Sequence, residues 1–255
     1  LGPFASRIDE LLTRRILAGC DLVIVRDNVA LEYCRAWGLK HAMFAPDLTY
    51  WLAPLVQPRE ATRGGNRPRL SIIVRDWRWE PEKMKVYLDA VARLADVWRQ
   101  QSGDVVVYAF DHKTDTYSPA FFRDRGYEVT VWNPDRLDAA TFFEGWTDAD
   151  VVVTARAHAA GLASFRGVPS LSISLEPKLR IVSDHLGTGS VSIDAAFEPA
   201  DALDILSQLL ADRDRLAMRL REQALQRAQQ LERVRELVVN CLDRAINGPA
   251  RGGRS

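Results

Sequence analysis

Between residues 70 and 193 short apolar runs alternate with longer helix-patterned segments, and this alternation restricts the fold more than any other feature of the chain. The apolar runs, at 70–74, 104–110, 127–132, 150–154, 170–174 and 190–193, are rich in Val and Ile and bounded by turn residues. Runs of this length suit strands covered on both faces, which is the condition of a parallel sheet. The spacers, at 81–100, 119–125, 139–146, 158–166 and 179–186, carry apolar residues at helical spacing. Strand and helix in turn at this spacing predict βαβ units, and the series is long enough for a complete doubly wound domain.

A shorter series of the same kind precedes it. Residues 6–18 pattern as a helix with Ser6 as cap, Asp9 three residues on, and Gly19 as its stop. A strand at 21–25, a helix capped by Asn28 and running to Trp37, and a strand at 41–45 follow. Residues 57–68 then have almost no apolar content and several breakers, which predicts a linker. The expected organisation is a partial α/β domain over 1–56, the linker over 57–68, and an α/β domain over 69–198. Helices over 199–247 and a disordered tail over 248–255 complete it. In the helical stretch Leu203, Leu206, Leu210, Leu216, Leu220, Leu231 and Val234 recur at helical spacing without a sustained heptad, so it is expected to pack back onto the domains. The chain opens Leu1-Gly2-Pro3-Phe4 without Met, and the reading is that it is a piece of something longer.

Charge narrows the partners. Thirty-four basic residues balance thirty-four acidic ones, so no global field draws the chain to nucleic acid. An anionic ligand would need a local cluster of cations. Cys20, Cys34 and Cys241 lie far apart with no CxxC and no zinc spacing, as in a reducing compartment. No run approaches a membrane span and no leader pattern opens the chain, so a soluble cytoplasmic protein is expected.

In open α/β sheets ligands bind beyond the carboxyl ends of the strands. Those ends carry Arg75-Asp76-Trp77, Asp111-His112-Lys113-Thr114-Asp115, Arg156-Ala157-His158 and Glu176-Pro177-Lys178. If the strands are adjacent, Arg75, His112, Arg156, His158 and Lys178 converge on one crevice. Singly, Arg75 reads as a surface residue bridging Asp76 or Glu80, Arg156 as a tie to Asp184, and His112 as a solvated loop residue. His158 is different, because it opens a helix inside the small-residue stretch 157–163, where nothing else explains an imidazole. The start of that helix favours an anion, and an arginine beside it suits phosphate or carboxylate.

The run from Asp150 through Arg156-Ala157-His158, Gly167-Val168-Pro169 and Glu176-Pro177-Lys178 to Asp184-His185-Leu186-Gly187 resembles the signature region of polysaccharide pyruvyl transferases. Val25-Arg26-Asp27, Trp37-Gly38, Pro46-Asp47, Gly2-Pro3, Val74-Arg75-Asp76-Trp77 and the 112–115 loop also resemble that family's pattern. The resemblance covers most of residues 1–190. It implies a GT-B-like protein of two Rossmann-like domains facing a cleft, the first truncated at its N-terminus, with the donor on the second domain and the acceptor against the first.

The implied reaction moves a pyruvyl group from phosphoenolpyruvate to a sugar hydroxyl of a surface polymer as a pyruvate ketal. A histidine can act as acid or base near neutrality. On this resemblance His158 is the proton carrier and His112 a second one, while Arg75, Arg156 and Lys178 hold phosphate and carboxylate. Arg26, Asp27, Asp115 and Glu176 are further candidates, with Arg26, Asp27 and Asp47 read first as structural. Neither metal nor cofactor is expected. The acceptor would be a sugar or lipid-linked oligosaccharide, which could bring the protein to the inner face of the membrane. Two other readings stand beside this one. One is a nucleotide-sugar glycosyltransferase of GT-B type, and the other a non-catalytic domain that forms homo-oligomers or binds a partner through its C-terminal helices.

Overall fold

Capping and strand pairing build a small α/β unit from the first series. The computed structural model describes residues 4, 6–59, 67–77, 80–101, 103–174, 177–192 and 198–247. It divides into two units, Leu1–Pro54 with Leu225–Ser255, and Leu55–Ala224. In the smaller unit α1 spans Arg7–Ala18, and the Ser6 hydroxyl accepts the Asp9 N–H at 3.1 Å. Strand β1 (Val23–Val25), helix α2 (Asn28–Ala36) and strand β2 (Ala42–Phe44) follow. The two strands pair in parallel, as a βαβ connection requires. The cap of α2 is Asp27, not the expected Asn28, because the Asp27 carboxylate accepts the Ala30 N–H at 2.7 Å. Val23, Val25, Ala30, Leu31, Cys34 and Leu39 close the core of this unit. A 3₁₀ segment that the sequence pattern had not indicated, Leu48–Leu55, comes next. Asp47 starts it by accepting the Thr49 N–H and hydroxyl at 3.1 and 2.9 Å.

The larger unit holds β3 (Arg69–Val74), α3 (Pro81–Gln101), β4 (Asp104–Ala109), α4 (Tyr117–Arg123), β5 (Glu128–Val131) and α5 (Ala139–Thr147). Next come β6 (Val151–Thr154), α6 (Ala157–Phe165), β7 (Ser170–Ser174), α7 (Pro177–Leu186), β8 (Gly189–Ser192) and α8 (Pro199–Ala211). Helix α9, Arg213–Asn247, begins here and passes its residues from Leu225 onward to the smaller unit.

All six strands are parallel, in the order β5-β4-β3-β6-β7-β8. Alternate residues of β3, β4 and β6 feed two cores. Leu70, Ile72, Val105, Val107, Val151 and Val153 pack with α3, α8 and the start of α9. Ile73, Val106, Tyr108 and Val152 pack with Phe142, Trp146, Ala159 and Ala163 of α5 and α6. Each fully buried large side chain contributes roughly 1.5–3 kcal/mol, so this two-sided burial dominates the fold's stability.

The strand order reverses between β3 and β6, where Ile73 pairs with Thr154. Chain leaving β3 turns to one side and chain leaving β6 to the other, which opens a crevice at their carboxyl ends. Of the expected linker at 57–68, residues 60–66 lie outside the described residues, as does the expected tail at 248–255. Arg59 donates its backbone N–H to the Arg166 carbonyl at 3.1 Å. Among the described residues no helix is long and apolar enough to cross a membrane.

Candidate functional site

The crevice between β3 and β6 holds a pocket of about 220 Å³ lined by Arg75, Phe110, Ala155, Arg156, Ala157, His158 and Leu179. Each wall residue reaches it for a local reason. Arg75 is the first residue after β3 and lies half-buried, its guanidinium carbon 5.3 Å from the centroid of the Trp77 ring. Arg156 ends the turn after β6. The Thr154 hydroxyl accepts the Arg156 N–H at 2.9 Å, a side-chain turn that stops the strand and leaves Arg156 as the N-cap of α6.

The first turn of α6 therefore borders the pocket. Ala157, Ala159, Ala160, Gly161 and Ala163 are buried, so this small-residue helix packs closely on the sheet, while His158 stays exposed at the pocket rim. A helix start supplies unpaired N–H donors and a positive dipole end, and the pocket adds two arginines to them.

Behind Arg156 sits a second layer. Its Nη2 forms an ion pair with Asp115, its Nε donates to the Val74 carbonyl at 3.4 Å, and its guanidinium lies 5.7 Å from the Phe110 ring centroid. The tie of Arg156 is thus to Asp115 after β4, rather than to Asp184 as one reading of the sequence had it. Asp115 also accepts the Asp76 N–H at 3.1 Å. Asp76 in turn accepts the N–H groups of Thr116, Tyr117 and Ser118, each at 2.8 Å, which anchors the start of α4. Burial alone would push the Asp76 carboxyl up, but these hydrogen bonds, led by the Ser118 hydroxyl, outweigh it and hold its pKa below the ordinary value.

The pocket thus gathers Arg75, Arg156 and His158 of the expected set. His112 is half-buried in the loop after β4, donates its backbone N–H to the Trp132 carbonyl at 3.2 Å, and does not line the pocket. Lys178 falls in the first turn of α7, but its side chain, like the whole of Glu176, lies outside the described residues. Arg26 and Asp27 belong to the smaller unit, where Arg26 pairs with Asp47 at 2.6 Å and Asp27 caps α2. Sequence reasoning missed Phe110 and Leu179 as wall residues. Both read as ordinary apolar positions, one directly after β4 and one on the inner side of α7, and no local signal marks them. It also missed Asp76, whose position next to Arg75 was the one clue.

A larger hollow of about 800 Å³ lies at the opposite edge of the sheet, lined by Arg59, Arg69, Arg99, Asp104, Glu128, Asp148 and Asp150 among others. Two of its arginines are engaged by its own acids: Arg59 and Arg69 face Asp148 and Asp150 at 3.1–4.0 Å. Ligands of open α/β sheets bind at the carboxyl edge, so the smaller pocket is the functional candidate despite its size.

Sheet order, parallel register and helical C-terminal region define an α/β protein of GT-B-like class, and solved structures of that class match it. MnaA of S. aureus, in a co-structure with UDP, aligns at 14% identity and TM-score 0.61, over 98% of this chain and 67% of its own. HepE of Anabaena in complex with UDP aligns at 11% identity and TM-score 0.58, over 95% and 70%. The sucrose-phosphate synthase of Thermosynechococcus elongatus aligns at 15% identity and TM-score 0.55, over 93% of this chain and 64% of its own. The chain therefore spans less than two thirds of that synthase, and 47% of the length of TarM. No curated protein matches it. The family is narrower than the fold. The model of the polysaccharide pyruvyl transferases matches residues 1–177, and the chain belongs to that family, which places it among transferases.

Proposed function

We propose that the protein transfers the pyruvyl group of phosphoenolpyruvate to a sugar of a surface polysaccharide, forming a pyruvate ketal. The observation that carries this reading is the meeting of Arg75, Arg156, His158 and the first turn of α6 around one small pocket. Phosphoenolpyruvate presents a phosphate and a carboxylate on a three-carbon frame. Arginine binds both groups through paired N–H donors, and a helix start binds either. A volume of about 220 Å³ also lies below the roughly 300 Å³ at which pockets begin to hold drug-sized ligands, so it suits this donor better than a nucleotide sugar.

The chemistry follows from the donor. The first sugar hydroxyl bonds to C2 of phosphoenolpyruvate while a proton from His158 reaches C3, converting the methylene to a methyl group, and the proton lost by the hydroxyl returns to His158. A second hydroxyl then bonds to C2, the C2–O bond to phosphate breaks, and its proton leaves with phosphate. His158 delivers the proton to C3, since it is the titratable side chain at the pocket rim. Arg75, Arg156 and, from α7, Lys178 offset the charge that grows on the departing phosphate. His112, off the pocket wall, has no direct role in this scheme, and neither do Arg26 and Asp27. The family relationship supports a sugar acceptor; on a lipid carrier it would be met at the inner face of the membrane.

The likeness to structures holding UDP keeps a nucleotide-sugar glycosyltransferase as the competing reading. Calorimetric titration with phosphoenolpyruvate and with a UDP-sugar, each against the wild type and Arg156→Ala, separates the two. Phosphoenolpyruvate binding that is weakened but still measurable in Arg156→Ala is the expected result. Binding of the UDP-sugar alone would overturn the proposal.

A further inference from the structure

Asp115 is a carboxylate with no reason of its own to be buried. Its side chain is 1% exposed, at the end of the loop after β4. Removing a carboxylate from water is costly unless charge and hydrogen bonds compensate it. Of its two oxygens, one accepts the Asp76 N–H at 3.1 Å, a bond any neutral acceptor could make. The other faces Nη2 of Arg156. The charge of Asp115 is therefore explained by Arg156 and not by the scaffold.

Arg156 shows the same relation from the other side. A guanidinium carries five N–H donors in a fixed plane. Nε is turned to the Val74 carbonyl and Nη2 to Asp115, both at the back of the crevice, and Phe110 lies 5.7 Å away as a wall shared with the pocket. With those two nitrogens committed to the scaffold, Nη1 is the nitrogen left to meet a ligand.

We propose that Asp115 is the positioning residue of this pocket: its buried charge fixes the Arg156 guanidinium so that one edge is presented to an anionic donor. A group fixed before binding loses little freedom on binding, and a planar donor set then selects ligands by geometry as well as charge. Asp115 also compensates the charge of Arg156, so Arg156 contributes direction more than net charge. The part of this that concerns phosphoenolpyruvate rests on the function proposed above; the restraint of Arg156 does not.

Asp115→Asn is the informative variant, because it keeps shape and an acceptor for the Asp76 N–H while removing the charge. Two measurements apply. The first is the rate at which phenylglyoxal modifies Arg156, read by peptide mass mapping. The second is the Kd for phosphoenolpyruvate in the wild type, Asp115→Asn, Arg156→Ala and the double variant. Release of the guanidinium should raise the modification rate severalfold. Affinity should weaken by about tenfold in the wild-type background and be unchanged by the second substitution in Arg156→Ala, the signature of two residues acting as a unit. An unchanged modification rate, or an equal loss of affinity in both backgrounds, would overturn the proposal. If phosphoenolpyruvate fails to bind the wild type, the donor assignment falls, and the modification rate alone decides the role of Asp115. Should Asp115→Asn not fold, Asp115→Glu keeps the charge but displaces it: altered reactivity of Arg156 at a retained melting temperature supports the proposal, and wild-type reactivity overturns it.

Discussion

The carboxylate of Asp76 accepts both the backbone N–H of Ser118, at 2.8 Å, and its hydroxyl, at 2.5 Å. With the N–H groups of Thr116 and Tyr117 on its other oxygen, this residue caps α4 from the loop after β3. All four donors favour the charged form, so the folded pKa lies below the ordinary 3.8. A depressed carboxylate contributes stability that is fully present above its unfolded pKa and is lost as pH falls through the folded one. Asp76→Ala should therefore lower stability by about 1–2 kcal/mol at pH 7, as the loss of a helix cap does. Thermal melts of both proteins should converge as pH falls below the ordinary carboxylate range. A gap that stayed constant down to strongly acidic pH would contradict this account.

Asp150 does for the amino edge of the sheet what Asp76 does for the carboxyl edge. It receives both terminal nitrogens of Arg59 at 3.1 Å, Arg213 at 3.2 Å and the backbone N–H of Arg69 at 2.7 Å. Removing one member of a buried charged set leaves the others uncompensated, at a cost of about 3–5 kcal/mol. Asp150→Ala should lose about that much in urea denaturation. Asp148→Ala should lose less than Asp150→Ala, since the Asp148 side chain is 27% exposed against 10% for Asp150. Equal losses would mean that the network does not centre on Asp150.

Two glycines with the same backbone geometry offer an internal comparison. Gly126 and Gly167 have φ of 74° and 77°, a left-handed conformation that costs other residues roughly 1–2 kcal/mol. A Cβ on Gly126 would meet nothing within 4 Å, whereas one on Gly167 would stand 2.9 Å from the Ala217 carbonyl and 3.1 Å from its Cα. The close approach of the α6–β7 turn to α9 thus depends on a bare backbone. Gly126→Ala should cost about 1 kcal/mol and Gly167→Ala about 2–4 kcal/mol, the excess being overpacking. Chemical denaturation of the two variants checks this, and a Gly167→Ala loss no larger than that of Gly126→Ala would refute it.

The central strands β3, β4 and β6 were legible because they bury both faces and so read as nearly unbroken apolar runs, as at Val151–Thr154. Their ends were legible for the same reason, since a polar residue such as Arg75 or Arg156 stops the run. What the sequence cannot display is which ends meet. Asp115 and Asp184 are equivalent partners for Arg156 on paper, and the choice is made by the order β4-β3-β6, which brings the loop after β4 beside the switch point. Local ambiguity misled in a different way at α2. Asp27 and Asn28 are adjacent residues of nearly equal capping strength, and only the phase of the helix separates them. The 3₁₀ segment Leu48–Leu55 escaped notice because Pro54 inside it reads as a breaker, although a tight turn with few internal bonds tolerates it.

His158 is the residue on which the proposed chemistry turns. Its imidazole is exposed at the rim while its neighbours Ala157 and Ala159 are buried, so His158→Ala removes a group the core does not use. Alanine is also the better helix former, and the melting temperature should stay within a few degrees of the wild type. Donor affinity should survive, because Arg75, Arg156 and the backbone of α6 remain in place. Turnover should fall by about 10²–10⁴-fold, the usual contribution of a positioned acid or base. Loss of kcat with unchanged Kd for phosphoenolpyruvate assigns His158 to the proton transfer. Loss of affinity with little change in kcat would make it a binding residue, and near-normal kcat would leave the proton to another group, for which His112, on the neighbouring loop, is the first to substitute.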